Sequence, residues 1–182
     1  MKYELRSRKT RPSAALSFDF CVGAAQLWGI RLMSDSISIR RATEDDAGSI
    51  ARLSGELGYA VCEKTMRSRV QAILESTADV LIVAVDSSGT VVGWLQAHAA
   101  HVVESGFRVE ITGLIVSPAF RRRGVGRSLV ADAERWARTI SAEAVVVRSN
   151  IKRTESHAFY QSLGYTSTKT QVVYRKALSE PC

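Results

Sequence analysis

Two β-rich runs, Val80 to Val85 and Val91 to His98, are joined by Asp86-Ser87-Ser88-Gly89-Thr90, and that short glycine-containing link dictates an antiparallel hairpin. A third run, Arg108 to Val116, follows a loop around Glu104-Ser105-Gly106, so three successive strands form a meander at the centre of a sheet. The period then changes. A helix is predicted over Gly124 to Ile140, a strand over Ala144 to Arg148, a helix over Thr154 to Leu163 and a last strand around Gln171 to Lys176. Upstream, Ile37 and Ile39 alternate with Ser36, Ser38 and Arg40 as a first strand. Thr43 then caps a helix with Glu44, Asp45 and Asp46 in its positive first turn, and Ala47, Ile50, Ala51, Ser54 and Leu57 along one side. Gly58 ends it. A second helix covers Glu63 to Glu75, with Met66, Val70, Ile73 and Leu74 at helical spacing. Strands and helices so interleaved define an α/β domain, with no internal repeat or linker after Met33.

Composition sets outer limits. A chain of 182 residues with 46% hydrophobic and 24% charged residues suits one globular domain with a real core. No apolar run approaches the roughly 20 residues of a membrane-spanning helix. Cys21, Cys62 and Cys182 lack CxxC or Cys/His ligand spacing, so neither a disulfide framework nor a metal site is expected, and a cytoplasmic setting fits. Of the net charge of +7, residues 1–33 carry +4, which leaves an ordinary surface on the body rather than a polyanion-binding one. The basic start followed by Ala14 to Ile30 imitates a secretory signal, but Asp19 interrupts its apolar segment. Residues 1–33 are expected to be an N-terminal extension outside the fold, and residues 34–182 the functional domain.

The chemistry concentrates where the third strand ends at Pro118 and Arg121-Arg122-Arg123-Gly124-Val125-Gly126-Arg127-Ser128 leads into an amphipathic helix. Val125, Leu129, Ala133, Trp136, Ala137 and Ile140 share one face, which fixes the start of that helix against the sheet. The N–H groups of a helical first turn and the macrodipole favour a phosphate there. Gly124 and Gly126 permit close backbone approach, and Arg121, Arg122, Arg123 and Arg127 add positive charge, so a pyrophosphate fits. A tight strand-to-helix turn with a solvated basic surface remains the plain alternative. The GxxxxGK[ST] lysine and the three-glycine dinucleotide spacing are both missing.

The segment Arg121-Arg-Arg-Gly124-Val-Gly126 resembles the acetyl-CoA motif Gln/Arg-x-x-Gly-x-Gly/Ala of the GNAT superfamily of N-acetyltransferases. Asn150-Ile-Lys-Arg153-Thr-Glu-Ser-His157-Ala-Phe159-Tyr160-Gln-Ser-Leu163-Gly164-Tyr165 is similar to its second signature, and Val92-Gly93-Trp94 and the segment from Ile39 to Ala47 extend the likeness over roughly residues 36 to 178. The resemblance implies a mixed, mostly antiparallel sheet flanked by helices, with a strand pair at Leu114–Val116 and Val145–Arg148 splayed open to admit acetyl-CoA as co-substrate. Gly113 supports that, because a glycine inside a strand marks a bulge or a close approach.

The same resemblance implies residue roles. Backbone groups of Leu114, Ile115 and Val116 would pair with the pantetheine arm, and the Arg121–Ser128 turn would hold the pyrophosphate. Tyr160 would be the general acid that protonates the departing thiolate, or would only pack beside Phe159 and Leu163. Asn150 would touch the cofactor or organise the turn before its helix. Arg153 stands where many members have a second asparagine, and would meet a cofactor phosphate instead. Glu110 resembles the family's acidic position and would serve as general base, or simply pair with Arg108; His98, His101 and His157 are alternatives.

The expected reaction is direct acetyl transfer to an amine acceptor, a small molecule or a peptide, in a ternary complex, with a strand N–H near Val116 for the oxyanion. No cysteine suits a covalent acyl intermediate. A non-catalytic acyl-CoA sensor of the same fold stays open, as does a homodimer. Neither a nucleic acid nor a membrane is expected as partner, since no aromatics interleave the basic turn. The acceptor pocket is expected from Leu57 to Arg67 and from His101 to Phe107.

Overall fold

The computed structural model describes residues 36–56 and 58–178, so the extension expected over residues 1–33, Leu57, Cys21 and Cys182 lie outside the described residues. In chain order come β1 (Ser38–Arg41), α1 (Ala47–Glu56), α2 (Glu63–Glu75), β2 (Asp79–Val85), β3 (Val91–Val102), β4 (Gly106–Val116), α3 (Val125–Thr139), β5 (Ala144–Val147) and α4 (Thr154–Ser162). The five strands form one sheet in the order β1-β2-β3-β4-β5. Neighbours are antiparallel as far as β4, and β5 alone is parallel to its neighbour, because α3 carries the chain back before it re-enters the sheet. Among the described residues no helix is long and apolar enough to cross a membrane.

Alternation along β2 explains why it sits inside. Val80, Ile82 and Ala84 join the core shared with α3, whereas Leu81, Val83 and Val85 join the core shared with α1 and α2. A strand buried on both faces reads as a continuous apolar run. Both cores hold helices to the sheet through small and branched side chains: Leu129, Val130 and Ala133 from α3 on one face, Ile50, Leu53 and Val70 from α1 and α2 on the other.

Thr43 caps the entry to α1 as its sequence predicts, with a 3-10 turn over Glu44–Asp46 ahead of the helix proper. The Asp46 carboxylate accepts the Thr43 N–H at 2.8 Å and both Nη groups of Arg40 at 2.7 and 2.8 Å. Burial alone would raise its pKa, but the bonds from Arg40 and Thr43 outweigh that and hold the carboxyl below its ordinary range. Gly58 closes the helix at a φ of 84°, the left-handed geometry glycine tolerates best.

The structure corrects the sequence at three places. β3 and β4 run on to Val102 and back to Gly106, so the segment His101–Phe107 is the tip of a long hairpin, where His101 stacks on Phe107 at 4.4 Å. Leu74, expected on the apolar face of α2, is exposed while Met66 and Val70 are buried. The strand predicted around Gln171 to Lys176 does not form: Val172, Val173 and Tyr174 are exposed, and no described strand runs alongside to supply ladder partners. β-propensity describes a side chain's fit to a half-buried surface, and without a neighbouring strand it has nothing to act on.

Candidate active site at the open end of β4

β4 changes its surroundings midway. From Arg108 to Ile111 it pairs with β5, residue for residue, up to Val147; from there on only β3 accompanies it. The change coincides with a bulge: Ala97 faces Ile111 and Gln96 faces Gly113, so Thr112 has no partner of its own. One extra residue flips every later side chain to the other face. Val109 and Ile111 point into the α3 core before the bulge, and Leu114 and Val116 do so after it, while Ile115 turns to the α1–α2 core.

The bulge also decides which backbone groups look into the gap. Ser117 N–H donates to Val92 O at 2.8 Å on β3, and the Ile115 carbonyl also points to β3, lying 2.9 Å from where a Cβ on Gly93 would sit. Edge groups alternate along a strand. Leu114 and Val116 therefore turn their N–H and C=O groups away from β3 into the opening, and Arg121 Nε reaches the Val116 carbonyl from that side at 3.3 Å. Of the three residues expected to offer backbone contacts, Ile115 is engaged with β3.

At the head of α3 the two glycines serve different ends. Gly124 has a φ of 82° with open space where its side chain would be, whereas a Cβ on Gly126 would come within 3.3 Å of the Phe159 ring. The first intrahelical bond runs from Ser128 N–H to Gly124 O, so the N–H groups of Val125, Gly126 and Arg127 precede the helical ladder. Arg122 holds a φ of 63°, unusual for a residue with a side chain, and Arg123 lies over the Phe120 ring at 5.1 Å. Arg121, Arg122, Arg123, Gly124, Arg127 and Ser128 are exposed, so the turn presents a basic surface around unladdered N–H groups.

Two cavities flank the bulge. The larger, about 330 Å³, lies toward α1 and α2 and is lined by Tyr59, Met66, Arg69, Trp94 and Gln96 among others. The smaller, about 110 Å³, lies between the end of β5 and α4, lined by Arg148, Ser149, Asn150 and Tyr160. They share Thr112, Gly113, Leu114 and Arg153, so they meet at the bulge.

The chain matches the acetyltransferase (GNAT) family over residues 49–165. It belongs to that family. The aminoglycoside N(6')-acetyltransferase type 1 of Stenotrophomonas maltophilia is 24% identical over 151 residues, which cover 81% of this chain and 97% of the relative. The aminoalkylphosphonate N-acetyltransferase of Salmonella typhimurium is 38% identical over 79 residues, 43% of this chain and 51% of that one. The fold is shared with aminoglycoside N-acetyltransferase AAC(6')-Iy in complex with CoA, at a TM-score of 0.71 and 23% identity over 78% of this chain and 95% of that one. The same enzyme in complex with the bisubstrate analogue CoA-S-monomethyl-acetylneamine superposes at 0.70, again at 23% identity, over 78% of this chain and 99% of that one.

Within this GNAT domain Tyr160 faces the smaller cavity, its ring edge-on to Phe159 at 5.1 Å and to Tyr165 at 5.6 Å. Burial pushes its phenol up to about 12, so it stays protonated at neutral pH. Asn150 organises the turn into α4: its Oδ1 accepts the Lys152 N–H at 2.9 Å and its carbonyl accepts Arg153 N–H at 2.9 Å. Arg153 lies at the junction of the cavities, its Nη2 donating to the Tyr59 hydroxyl at 3.2 Å, and neither cavity includes a residue of the basic turn.

The expected base is engaged by arginines. Glu110 lines neither cavity; it sits in the paired half of β4 with Arg148 at 3.2 Å and Arg108 at 3.9 Å. Its place ahead of the bulge explains this, because the smaller cavity begins at Ile111 and its partner Val147. His98 pairs with Asp79 at 3.2 Å and His157 lies 3.1 Å from the Asn150 carbonyl, so each has a local structural partner. The hairpin tip His101–Phe107, expected to line the acceptor pocket, reaches neither cavity, whereas Tyr59, Val61 and Met66 of the other expected segment line the larger one. Sequence reasoning missed Arg69 and Gln96 altogether and placed Arg148 only as the end of the splayed strand. The bulge where the two cavities meet had one visible signal, Gly113, over which Trp94 packs so closely that a Cβ would lie 2.6 Å from the indole.

Proposed function

We propose that this protein transfers an acetyl group from acetyl-CoA directly to a primary amine of a small molecule, and that residues 36–178 contain the catalytic domain. The observation that carries this reading is the meeting of two cavities at Thr112–Leu114 and Arg153, with a protonated phenol in one of them. One chamber suits the acyl donor and the other the amine, so the reactants approach across the bulge without a covalent relay.

The residues present fit acetyl-CoA. The unladdered N–H groups at Val125, Gly126 and Arg127 and the charges of Arg121, Arg122, Arg123 and Arg127 would hold the pyrophosphate. The outward N–H and C=O of Leu114 would pair with the pantetheine amides as a further strand would, which leaves the Val116 N–H for the thioester. When bound, acetyl-CoA supplies an activated thioester carbonyl. The Val116 N–H would serve as donor to the carbonyl oxygen. Tyr160 Oη would hold its proton toward the leaving sulfur.

The acidity of that phenol limits its part. At about 12 it is a weaker acid than an alkyl thiol near ~8.5, so complete transfer would run uphill by about 5 kcal/mol. Tyr160 would thus act by hydrogen-bonding the developing thiolate while keeping its own proton. Glu110 is assigned to positioning Arg148, which lines the smaller cavity. Titration calorimetry with acetyl-CoA, followed by thiol release over a panel of amines, tests the reading. Binding followed by amine-dependent CoA release is expected; absence of binding would overturn it, and binding without release by any amine would make the protein a sensor.

A further inference from the structure

We propose that the acceptor is an amine that also bears an oxyanion, a carboxylate or a phosphonate, on a compact and partly apolar body. This rests on the acetyl-transfer reading above and concerns the larger cavity alone.

That cavity is lined by no aspartate or glutamate, and its charged residues are Arg69 and Arg153. Arg69 makes no hydrogen bond or ion pair with any described residue. Arg153 gives one bond to the Tyr59 hydroxyl, and a phenol oxygen that accepts there keeps its own hydrogen to donate. The indole Nε1–H of Trp94 is buried without a partner among the described residues. With almost no accessible surface that N–H does not open onto the cavity, so the donors the wall offers are the two guanidiniums and the Tyr59 hydroxyl.

The acceptors nearby are already occupied. Asp79 touches the cavity wall only through Gln96, and its oxygens take bonds from Ser76 at 2.7 Å, Gln96 at 3.4 Å and His98 at 3.2 Å. Ser54 and Thr112 direct their hydroxyls to backbone carbonyls of Ile50 and Gln96. The wall therefore offers hydrogen-bond donors and positive charge against an apolar background of Ile50, Met66, Val70 and Leu81. Such a surface complements an oxyanion and repels a polycation. At about 330 Å³ it also lies at the small end of ligand pockets, which run from ~300 to 1,000 Å³.

The charge balance bears on the nucleophile too. Guanidinium groups disfavour a neighbouring ammonium and so favour loss of its proton to solvent; the second proton, lost as the neutral amine attacks, passes to the departing thiolate. A carboxylate base in the pocket is then unnecessary.

The test compares kcat/KM, read by CoA thiol release, for acceptors matched except for the anion. Phenylalanine is set against phenylalaninamide, 2-aminoethylphosphonate against ethanolamine, and kanamycin serves as the polycation. At least one anionic member should exceed its neutral match by about 10-fold or more, and the two pairs tell carboxylate from phosphonate. Arg69→Gln should cut that preference about fivefold or more while acetyl-CoA affinity and melting temperature are retained. The preferred anionic amine should also raise the melting temperature of the wild-type protein without acetyl-CoA, and less so that of Arg69→Gln. Turnover favouring the neutral amines or kanamycin, or none with any anionic amine in a protein that binds acetyl-CoA, overturns the acceptor assignment alone. Failure to bind acetyl-CoA overturns the proposed function beneath it.

Discussion

The two halves of β4 obey opposite rules. Up to Ile111 the strand has neighbours on both edges, its ladder is complete, and Glu110 there is surrounded by Arg108 and Arg148. Past Thr112 it has one neighbour, its free edge faces a gap, and the groups around it are a phenol, guanidiniums and helix-start N–H groups. A single unpaired residue separates a stretch built for stability from one built for binding. If that division is real, substitutions beyond the bulge should change ligand affinity or turnover with little loss of stability, and those before it should do the reverse.

The largest expected effect is Gly126→Glu, which sets a carboxylate at the helix start and should weaken acetyl-CoA binding by about 10²–10³, since a like charge some 5 Å from the phosphates costs about 3 kcal/mol at an effective dielectric near 20. Calorimetry measures it, with Gly126→Ala as the control that only crowds Phe159. If both variants lose affinity equally, packing and not charge governs the turn.

Tyr160→Phe comes next, with turnover falling roughly 10² and acetyl-CoA affinity unchanged, because a hydrogen bond to the leaving sulfur is felt mainly in the transition state. Rates are to be taken at saturating acceptor with chemistry shown to limit turnover. Parental turnover under those conditions would leave Tyr160 with packing alone.

A smaller and two-signed change is expected at Arg122, whose φ of 63° is strained for any residue with a Cβ. Arg122→Gly should stabilise the fold by about 1 kcal/mol in urea denaturation while weakening acetyl-CoA about fivefold. Stability gained with no affinity lost would remove this arginine from the phosphate site.

The smallest effect belongs to the paired half. Glu110→Gln should alter turnover by no more than about threefold and stability by about 1 kcal/mol or less, as expected of partly exposed ion pairs. A loss near 10² in turnover with a changed pH profile would identify Glu110 as the base after all and dissolve the division between the halves.

Much of this arrangement was legible in the residues because local rules and tertiary context agree there. α2 matches its expected limits, Thr43 and Gly58 bracket α1, and the Arg121–Gly126 turn opens α3 as read. The hairpin Asp79–Val85 with Val91–Val102 needed only its turn chemistry and alternation. What escaped depends on neighbours that a sequence does not name. Val172–Tyr174 has strand composition but no adjoining edge, and Glu110 has the right chemistry on the wrong side of a bulge. Arg69 is one basic residue among several on α2, and nothing in its sequence neighbours distinguishes a solvated guanidinium from one that lines a cavity.

Trp94 and Gly113 together occupy a space that two ordinary side chains would overfill, which ties the histories of the two positions. A lineage that enlarges Gly113 first meets the indole, and one that shrinks Trp94 first opens a void in the wall of the larger cavity, so neither step is neutral alone. Change at this pair must pass through a compensated double substitution. Remodelling of acceptor preference should therefore proceed mainly through the helix side of the chamber, where Arg69 and its neighbours can vary one at a time.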